Sequence, residues 1–506
     1  MLERHIAAID LGSSKFAVTV ARVFGDDIQI VYYKESPSDG IRNSYVFNPM
    51  KAEKALRSAI SAAEDELGIK ILQAVVGYPR FPVIQEVATG NFERTDANEC
   101  ISYEEVEALK SIALESYPLQ DEKSQEIYGA VAQSFSTDDY FQLVEEDIVG
   151  MVSSKLQGHF KAFIGNKGKS NAIDVVFNKL GIAVAKKYFI PDVTARAVLS
   201  HEETENGVAL IDFGGGATSV SIYHGGIMRH YGAIPFGGKV VTGDIKSECG
   251  IGETLAENIK MAYGACIPGK LPTLGDKTIQ INYTDRNAVA VKVDYLSEVI
   301  GARMKEIIEA ILWEIDRSGF ADNLRSGIVI TGGGSSLLGC AMLLREMSGY
   351  NVKLGYPRPF FSAEGCPGVW EASATASMGM VLTAKNDNLP DCVTAPERSI
   401  ADAFNEIFFE NETTGEAVIE EAPVPEPEEE TVHEAGDIIP DGLQGGETGT
   451  LIDPEEFGEE KPKPEKVKRP RKPSKFKVFW DKTRQAVGNG ISSIEEGIGT
   501  LYDNAK

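Results

Sequence analysis

The sequence predicts an α/β protein of two lobes built on a duplicated core, with a small inserted subdomain and an unfolded tail ending in an amphipathic helix. Three observations predict it. Two stretches, IAAIDLGSSKFAVTVARV (6–23) and VALIDFGGGATSVSIYHG (208–225), repeat one pattern. Each has an apolar run, Ile-Asp, one large apolar residue, a glycine, small residues and a second alternating run. Up to about residue 390, strand-like runs alternate with helical periodicity across short glycine-marked turns, the signature of α/β architecture. After Cys392 the composition changes abruptly.

At 506 residues the chain is too long for a single core. Its net charge of -26 argues against nucleic acid as a partner. Six cysteines are scattered without a CxxC pair, which predicts a reducing compartment and neither disulfide framework nor zinc site. The six histidines form no ligand cluster, so a metal-centred hydrolase is not supported. The start, MLERHIAAID, carries no leader pattern, and no apolar run reaches the roughly 20 residues that span a bilayer.

The first hairpin turn is Asp10-Leu11-Gly12-Ser13-Ser14-Lys15. A strand delivers a carboxylate, and a turn without bulky side chains lets backbone N–H groups approach a phosphate. Ser13 and Ser14 add hydroxyls and Lys15 a compact cation. Residues 51–67 have helical spacing stopped by Gly68, and ILQAVVGYP reads as a strand. Residues 84–165 hold helix-like ISYEEVEALKSIALES and strand-like EIYGAVAQSFSTDD, enough for one small inserted domain.

The second turn, Asp212-Phe213-Gly214-Gly215-Gly216-Ala217-Thr218, offers the same parts again. Two such turns facing each other would grip a polyphosphate from both sides. Gly12, Ser13, Ser14, Lys15, Gly214, Gly215, Gly216 and Thr218 are the candidate phosphate ligands. Asp10 and Asp212 would hold Mg²⁺, directly or through water. Either turn alone is an ordinary glycine-bearing hairpin; the repeat points to a shared ligand. IGETLAENIKMAYG (251–264) puts Glu253, Glu257 and Lys260 on one helical side. GIVITGGGSSLLG (327–339) is a strand, a glycine turn and a helix expected to start near Leu337. Gly332, Gly333, Gly334 and Ser335 would let an adenosine lie against the backbone.

Residues 411–460 contain no Lys or Arg and many Glu and Pro, a composition that cannot offset its ordering entropy. KPKPEKVKRPRKPSKFK (461–477) then turns basic. Beyond it, Trp480, Val487, Ile491, Ile494, Ile498 and Leu501 recur in steps of seven, four, three, four and three, one face of a helix. Phe476 and Phe479 extend that face, and Lys475, Lys477, Lys482 and Arg484 cluster beside it. Aromatics suit a headgroup boundary and cations suit anionic lipid. Four glycines weaken the helix, which is expected to fold only on lipid.

Taken together, the two hairpins, GGGSSLLG and AENIKMAYG resemble the phosphate and adenosine motifs of the actin, DnaK-type chaperone and sugar-kinase superfamily. PDVTARAVLS (191–200) and ASATASMGM (372–380) resemble its connecting helices. The inserted segment, IPDVTARAVLSHEE, IPFGGKVVTGDI and the terminal amphipathic helix resemble the FtsA family of actin-like division proteins. The resemblance covers about residues 5–385. It implies an actin-like two-lobed ATPase fold with lobe 1 core at 1–83, an inserted subdomain at 84–165, and the rest of lobe 1 with the start of lobe 2 at 166–235. A small lobe 2 subdomain would span 236–300 and the lobe 2 core 301–390, followed by a linker at 391–474 and a membrane helix at 475–506.

The resemblance also implies ATP and Mg²⁺ as ligands, self-polymerisation, and tethering of FtsZ filaments to the cytoplasmic face of the inner membrane. Inner-membrane lipids and downstream division proteins join the FtsZ C-terminal peptide as implied partners. Arg303, in LSEVIGARMKEIIEAI, falls where the family receives that acidic peptide. Arg196 aligns with the water-positioning glutamine of hydrolysing actins, and a guanidinium cannot act as a base, so at most weak ATPase activity is expected. The competing readings are another actin-like filament, a pilus-assembly ATPase, and a soluble small-molecule kinase.

Overall fold

The computed structural model describes residues 3–270, 274–281 and 289–394. The acidic linker beyond 394, the basic run and the apolar face 476–501 lie outside the described residues.

Two five-stranded sheets carry the architecture, and they are copies. In the first, Asp27–Pro37, Lys15–Phe24, Arg4–Leu11, Gln73–Gly77 and Ala183–Tyr188 lie side by side in that order. In the second the order is Ile227–Ile234, Thr218–His224, Val208–Phe213, Ile328–Thr331 and Val352–Leu354. Each begins with two antiparallel pairings and ends with two parallel ones. The duplication expected from two sequence stretches therefore extends to whole sheets.

The opening strand of each sheet reads as a continuous apolar run because both of its faces are covered. Ala7 and Ile9 face Leu56 and Ile60 of the helix Pro49–Leu67, and Ile173 and Phe177 of the helix Lys167–Leu180. Ile6 and Ala8, one pleat out of phase, join the opposite cluster with Val193, Ala197, Ala376 and Met380. Those four belong to the connecting helices Ile190–Val198 and Thr375–Asn386. The same cluster takes in Val208, Leu210 and Val329 from the second sheet, so one core runs through both lobes by way of these helices.

Helix Pro49–Leu67 starts two residues before its apolar periodicity. Asn48 caps it by accepting from Met50 and Lys51 N–H groups, and Pro49 fits a first turn that needs no donor. Gly68 ends it with a left-handed φ of 62°.

Between the first sheet's fourth strand and Lys167, the strands Val83–Glu93, Lys155–Asn166 and Gln125–Ser136 form a separate three-stranded sheet. It is backed by the helix Tyr103–Glu115. This sheet leans on the second lobe, where Gln85 hydrogen-bonds His230 at 2.8 Å and accepts from the Tyr231 N–H. Helices Gly238–Cys249, Glu253–Tyr263 and Val293–Arg317, with the hairpin Thr278–Ile281 and Val289–Lys292, make up the smaller part of the second lobe.

The helix expected near Leu337 starts later. Gly333–Ser336 form a 3-10 turn, and the α-helix runs Cys340–Ser348. Gly339 stands between them with a left-handed φ of 79°, which breaks the run.

The connecting helices cross so closely that a side chain at Gly379 would overlap the Val193 carbonyl. Gly379→Val should therefore destabilise the protein by about 3 kcal/mol, since the obstacle is backbone. Gly243→Ala, at a helical position with open space around it, should be neutral or stabilising by up to about 1 kcal/mol. Urea unfolding of both variants checks the pair.

Candidate functional site

Both hairpin turns obey the same local constraint. A Cβ on Gly12 would collide with the Lys15 carbonyl oxygen, and a Cβ on Gly214 would come within 2.6 Å of the Ala217 carbonyl oxygen. Each turn closes on the carbonyl three residues ahead, so each opens with glycine. The following glycines serve a different contact. A Cβ on Gly215 would overlap Ser14 Oγ, and one on Gly216 would lie 2.5 Å from Ser13 Oγ and 2.9 Å from the Asn43 N–H. The two turns thus meet face to face, as their repetition predicts, and they touch. A phosphate chain between them requires the turns to part.

Asp10 and Asp212 end equivalent strands and stand just behind the turns. Between the lobes lies a residue that sequence reasoning missed, Arg80, in the loop after the strand Gln73–Gly77. Its guanidinium pairs with Asp212, the two side chains being 12% and 9% exposed. Burial pushes the Asp10 carboxyl up, Arg80 opposes this and Asp212 adds to it, leaving it above the usual carboxylate range. Burial works against the Arg80 charge too, but Asp212 and Asp10 outweigh it. Mg²⁺ takes oxygen ligands and keeps much of its water. With a guanidinium on Asp212, the site does not fit a Mg²⁺ clasped by both carboxylates. Among the described residues, no three His, Cys, Asp or Glu side chains gather as a metal site.

Lys15 pairs with Glu35, which also accepts from Tyr33 at 2.6 Å and Ser373 at 3.0 Å. Burial would raise the Glu35 carboxyl, but the bonds from Lys15 and Tyr33 hold it below its ordinary value. Thr218 donates to the Phe236 carbonyl at 2.9 Å, so its hydroxyl serves the hairpin itself. Lys260 is brought to the second turn. Its Nζ donates to Glu257 at 2.8 Å, to Thr242 at 2.9 Å and to the Gly238 carbonyl at 3.1 Å. Gly238 in turn donates its N–H to the Gly214 carbonyl. Glu253, one turn earlier, is exposed and lies 3.5 Å from Lys246.

Gly332 adopts a φ of 80°, and a Cβ there would overlap an Asp212 carboxylate oxygen. Gly334 packs on Phe213, and Ser335 donates to the Gly332 carbonyl at 2.7 Å. The glycine run therefore lies directly on the second turn. Arg196 does not reach the turns; it pairs with Asp192 at 3.0 Å one helical turn back, and the guanidinium beside the aspartates is that of Arg80. Arg303 lies elsewhere, in a groove with Asp244, Glu248, Glu298 and Glu306. It donates to both oxygens of Asp244, at 2.6 and 3.0 Å, and to Glu306 at 2.6 Å.

Because Asp10 holds its proton more tightly in the folded state, stability falls as pH rises from the unfolded value near 3.9 through the raised one. At neutral pH Asp10 therefore costs stability relative to about pH 4. Asp10→Asn should melt higher than the parent at pH 7.5, with the gap closing as the pH falls toward about 4. Equal melting curves at both pH values would show that Asp10 carries no burial cost.

Comparison with known proteins gives these parts a family. A model of the family "Cell division protein FtsA" matches residues 209–377, which span the second turn, the Lys260 helix and the Gly332 run. The cell division protein FtsA of Borreliella burgdorferi is 30% identical over 71% of this chain and 86% of its own length. That of Streptococcus pneumoniae is 29% identical over 70% of this chain and 76% of its own. Among solved structures, the PilM-PilN type IV pilus biogenesis complex is similar at a TM-score of 0.52 and 15% identity, covering 75% of this chain and 98% of that one, a likeness of fold alone. Paired turns on duplicated sheets place the chain on an actin-like fold, and its relatives show that it belongs to the FtsA family of cell division proteins.

Proposed function

We propose that the chain is an ATP-binding, polymer-forming adaptor that tethers FtsZ filaments to the cytoplasmic face of the inner membrane and helps recruit division proteins to the septum. The observation that carries the ATP reading is the meeting of two equivalent glycine turns, Ser13-Ser14 against Gly215-Gly216, with Lys260 and the Gly332 run beside the second. Backbone N–H groups at the turns would hold the phosphates, and the glycine run would receive the adenosine. Any Mg²⁺ would travel on the phosphates, with Asp10 and Asp212 reaching it through water. ATP then acts as an assembly ligand that parts and resets the lobes, with hydrolysis at most weak.

The membrane part of the reading rests on sequence pattern and family. The face built from Phe476, Phe479, Trp480, Val487, Ile491, Ile494, Ile498 and Leu501 has the spacing and flanking cations of an interfacial helix. Weak single feet hold best when a polymer presents many of them. Full-length protein should carry FtsZ down with anionic liposomes in the presence of ATP, whereas a truncation ending at Pro473 should leave it in the supernatant. If both stay soluble and FtsZ is ignored, the tether reading fails.

Arg303 offers a sharper check of the FtsZ contact. Its fork is already engaged by Asp244, so an acidic peptide must compete with a carboxylate of the same chemistry. Arg303→Ala should weaken binding of the FtsZ C-terminal peptide about tenfold, and Asp244→Asn, which leaves Glu306 as the one carboxylate on the guanidinium, should tighten it. Unchanged affinity in both, measured by fluorescence anisotropy, would make Arg303 a surface ion pair only.

A further inference from the structure

Arg80 belongs to one lobe and Asp212 to the other, so their pair spans the floor of the cleft. The guanidinium also lies beside the second turn: a Cβ on Gly214 would stand 3.9 Å from an Arg80 terminal nitrogen. Its backbone is fixed on both sides. The Arg80 N–H donates to Ser44 Oγ, the Ser44 N–H donates to Ser13 Oγ of the first turn, and the Arg80 carbonyl accepts from Tyr231 of the second lobe at 2.7 Å. The main chain is thereby tied to the first turn and to the second lobe's sheet, while the only hydrogen-bond acceptor of the guanidinium among the described residues is Asp212.

The two lysines near the turns are committed differently. Lys15 is held by Glu35 and Lys260 by Glu257, carboxylates that lie outside the hairpin turns. Arg80 alone of the three pairs with a carboxylate that ends a hairpin strand. A guanidinium fork is geometrically suited to carboxylate and phosphate alike, and a terminal phosphate carries more negative charge than a carboxylate.

We infer that Arg80 is the residue that distinguishes ATP from ADP in this cleft: it exchanges Asp212 for the terminal phosphate of a nucleoside triphosphate. The inference rests on the ATP reading above. With the triphosphate bound, Arg80 neutralises the last phosphate and Asp212 is released to face water. With the diphosphate bound, no group reaches the guanidinium and the Arg80–Asp212 pair stays closed across the lobes. A two-state protein responds to a ligand only through differential contacts, and this exchange is such a contact.

The test is equilibrium binding of fluorescent ATP and ADP to the full chain, in EDTA and in Mg²⁺, for the parent, Arg80→Ala, Arg80→Lys and Asp212→Asn. Arg80→Ala should lose roughly ten- to hundredfold in ATP affinity, the size of a charge-assisted hydrogen bond, while ADP affinity stays within about threefold. Arg80→Lys, which keeps the charge but not the fork, should lose part of the preference. Asp212→Asn should raise the ATP-to-ADP affinity ratio in EDTA, where no cation needs that carboxylate. Equal losses for both nucleotides in Arg80→Ala, or an unchanged ratio in Asp212→Asn, overturn the inference and leave Arg80 as a structural latch. Should Arg80→Ala fail to fold, the lysine and asparagine variants decide it alone. A parent that binds neither nucleotide removes the ATP reading itself, and the inference with it.

Discussion

Two backbone turns from opposite lobes touch, and nearly every functional feature follows from how little space that contact leaves. Gly215 and Gly216 stand where a β-carbon would overlap or crowd Ser14 and Ser13. Gly332 must accept a positive φ because an Asp212 oxygen occupies the direction a side chain would take. Gly237 has the Gly214 carbonyl in that same direction. The glycines are distributed by steric exclusion around one point.

Holding charged groups at that point is costly, and the fold arranges the offset. Two carboxylates and a guanidinium are largely withdrawn from water. Breaking the Arg80–Asp212 pair by removing one partner is more damaging than the pair itself is stabilising. The stability that tolerates it comes from the core shared through the connecting helices, where apolar strand faces of both sheets meet the same pair of helices. The lobes therefore share a helix crossing that is tightly packed at Gly379 and Val193, and a polar contact in which Arg80 bonds Asp212.

What the sequence made legible was whatever repeats or keeps a period. The two Asp-and-glycine turns announced two equivalent sheets because each copy had to solve the same local problem, closure on the carbonyl three residues ahead. The second lobe's Gly332 run and Lys260 were legible because strand, glycine turn and helical spacing are local patterns. Arg80 was not, since GYPRFP has no periodicity and nothing in it says that its arginine will cross to the other lobe. Thr218 is expected at the ligand as part of the repeated turn, and Glu253 by its helical spacing from Glu257 and Lys260. In the structure Thr218 donates to the Phe236 carbonyl and Glu253 is exposed beside Lys246, contacts that neither pattern reveals. Arg196 sits on the expected helix, but its fork closes on Asp192, a choice that helix register alone does not reveal.

The helix Gly238–Cys249 gives these local contacts a longer reach. Its first residues are bonded to the second turn, Gly238 to the Gly214 carbonyl and Lys239 to the Gly215 carbonyl at 2.8 Å. Farther along the same helix, Thr242 accepts from Lys260, and Asp244 grips both sides of the Arg303 fork. One helix thus carries both the bonds to the second turn and the carboxylate that holds Arg303. Arg303 rides on a different helix, Val293–Arg317, packed against the second sheet. The Asp244–Arg303 pair therefore ties the helix bonded to the second turn to the helix that packs against both it and the second sheet.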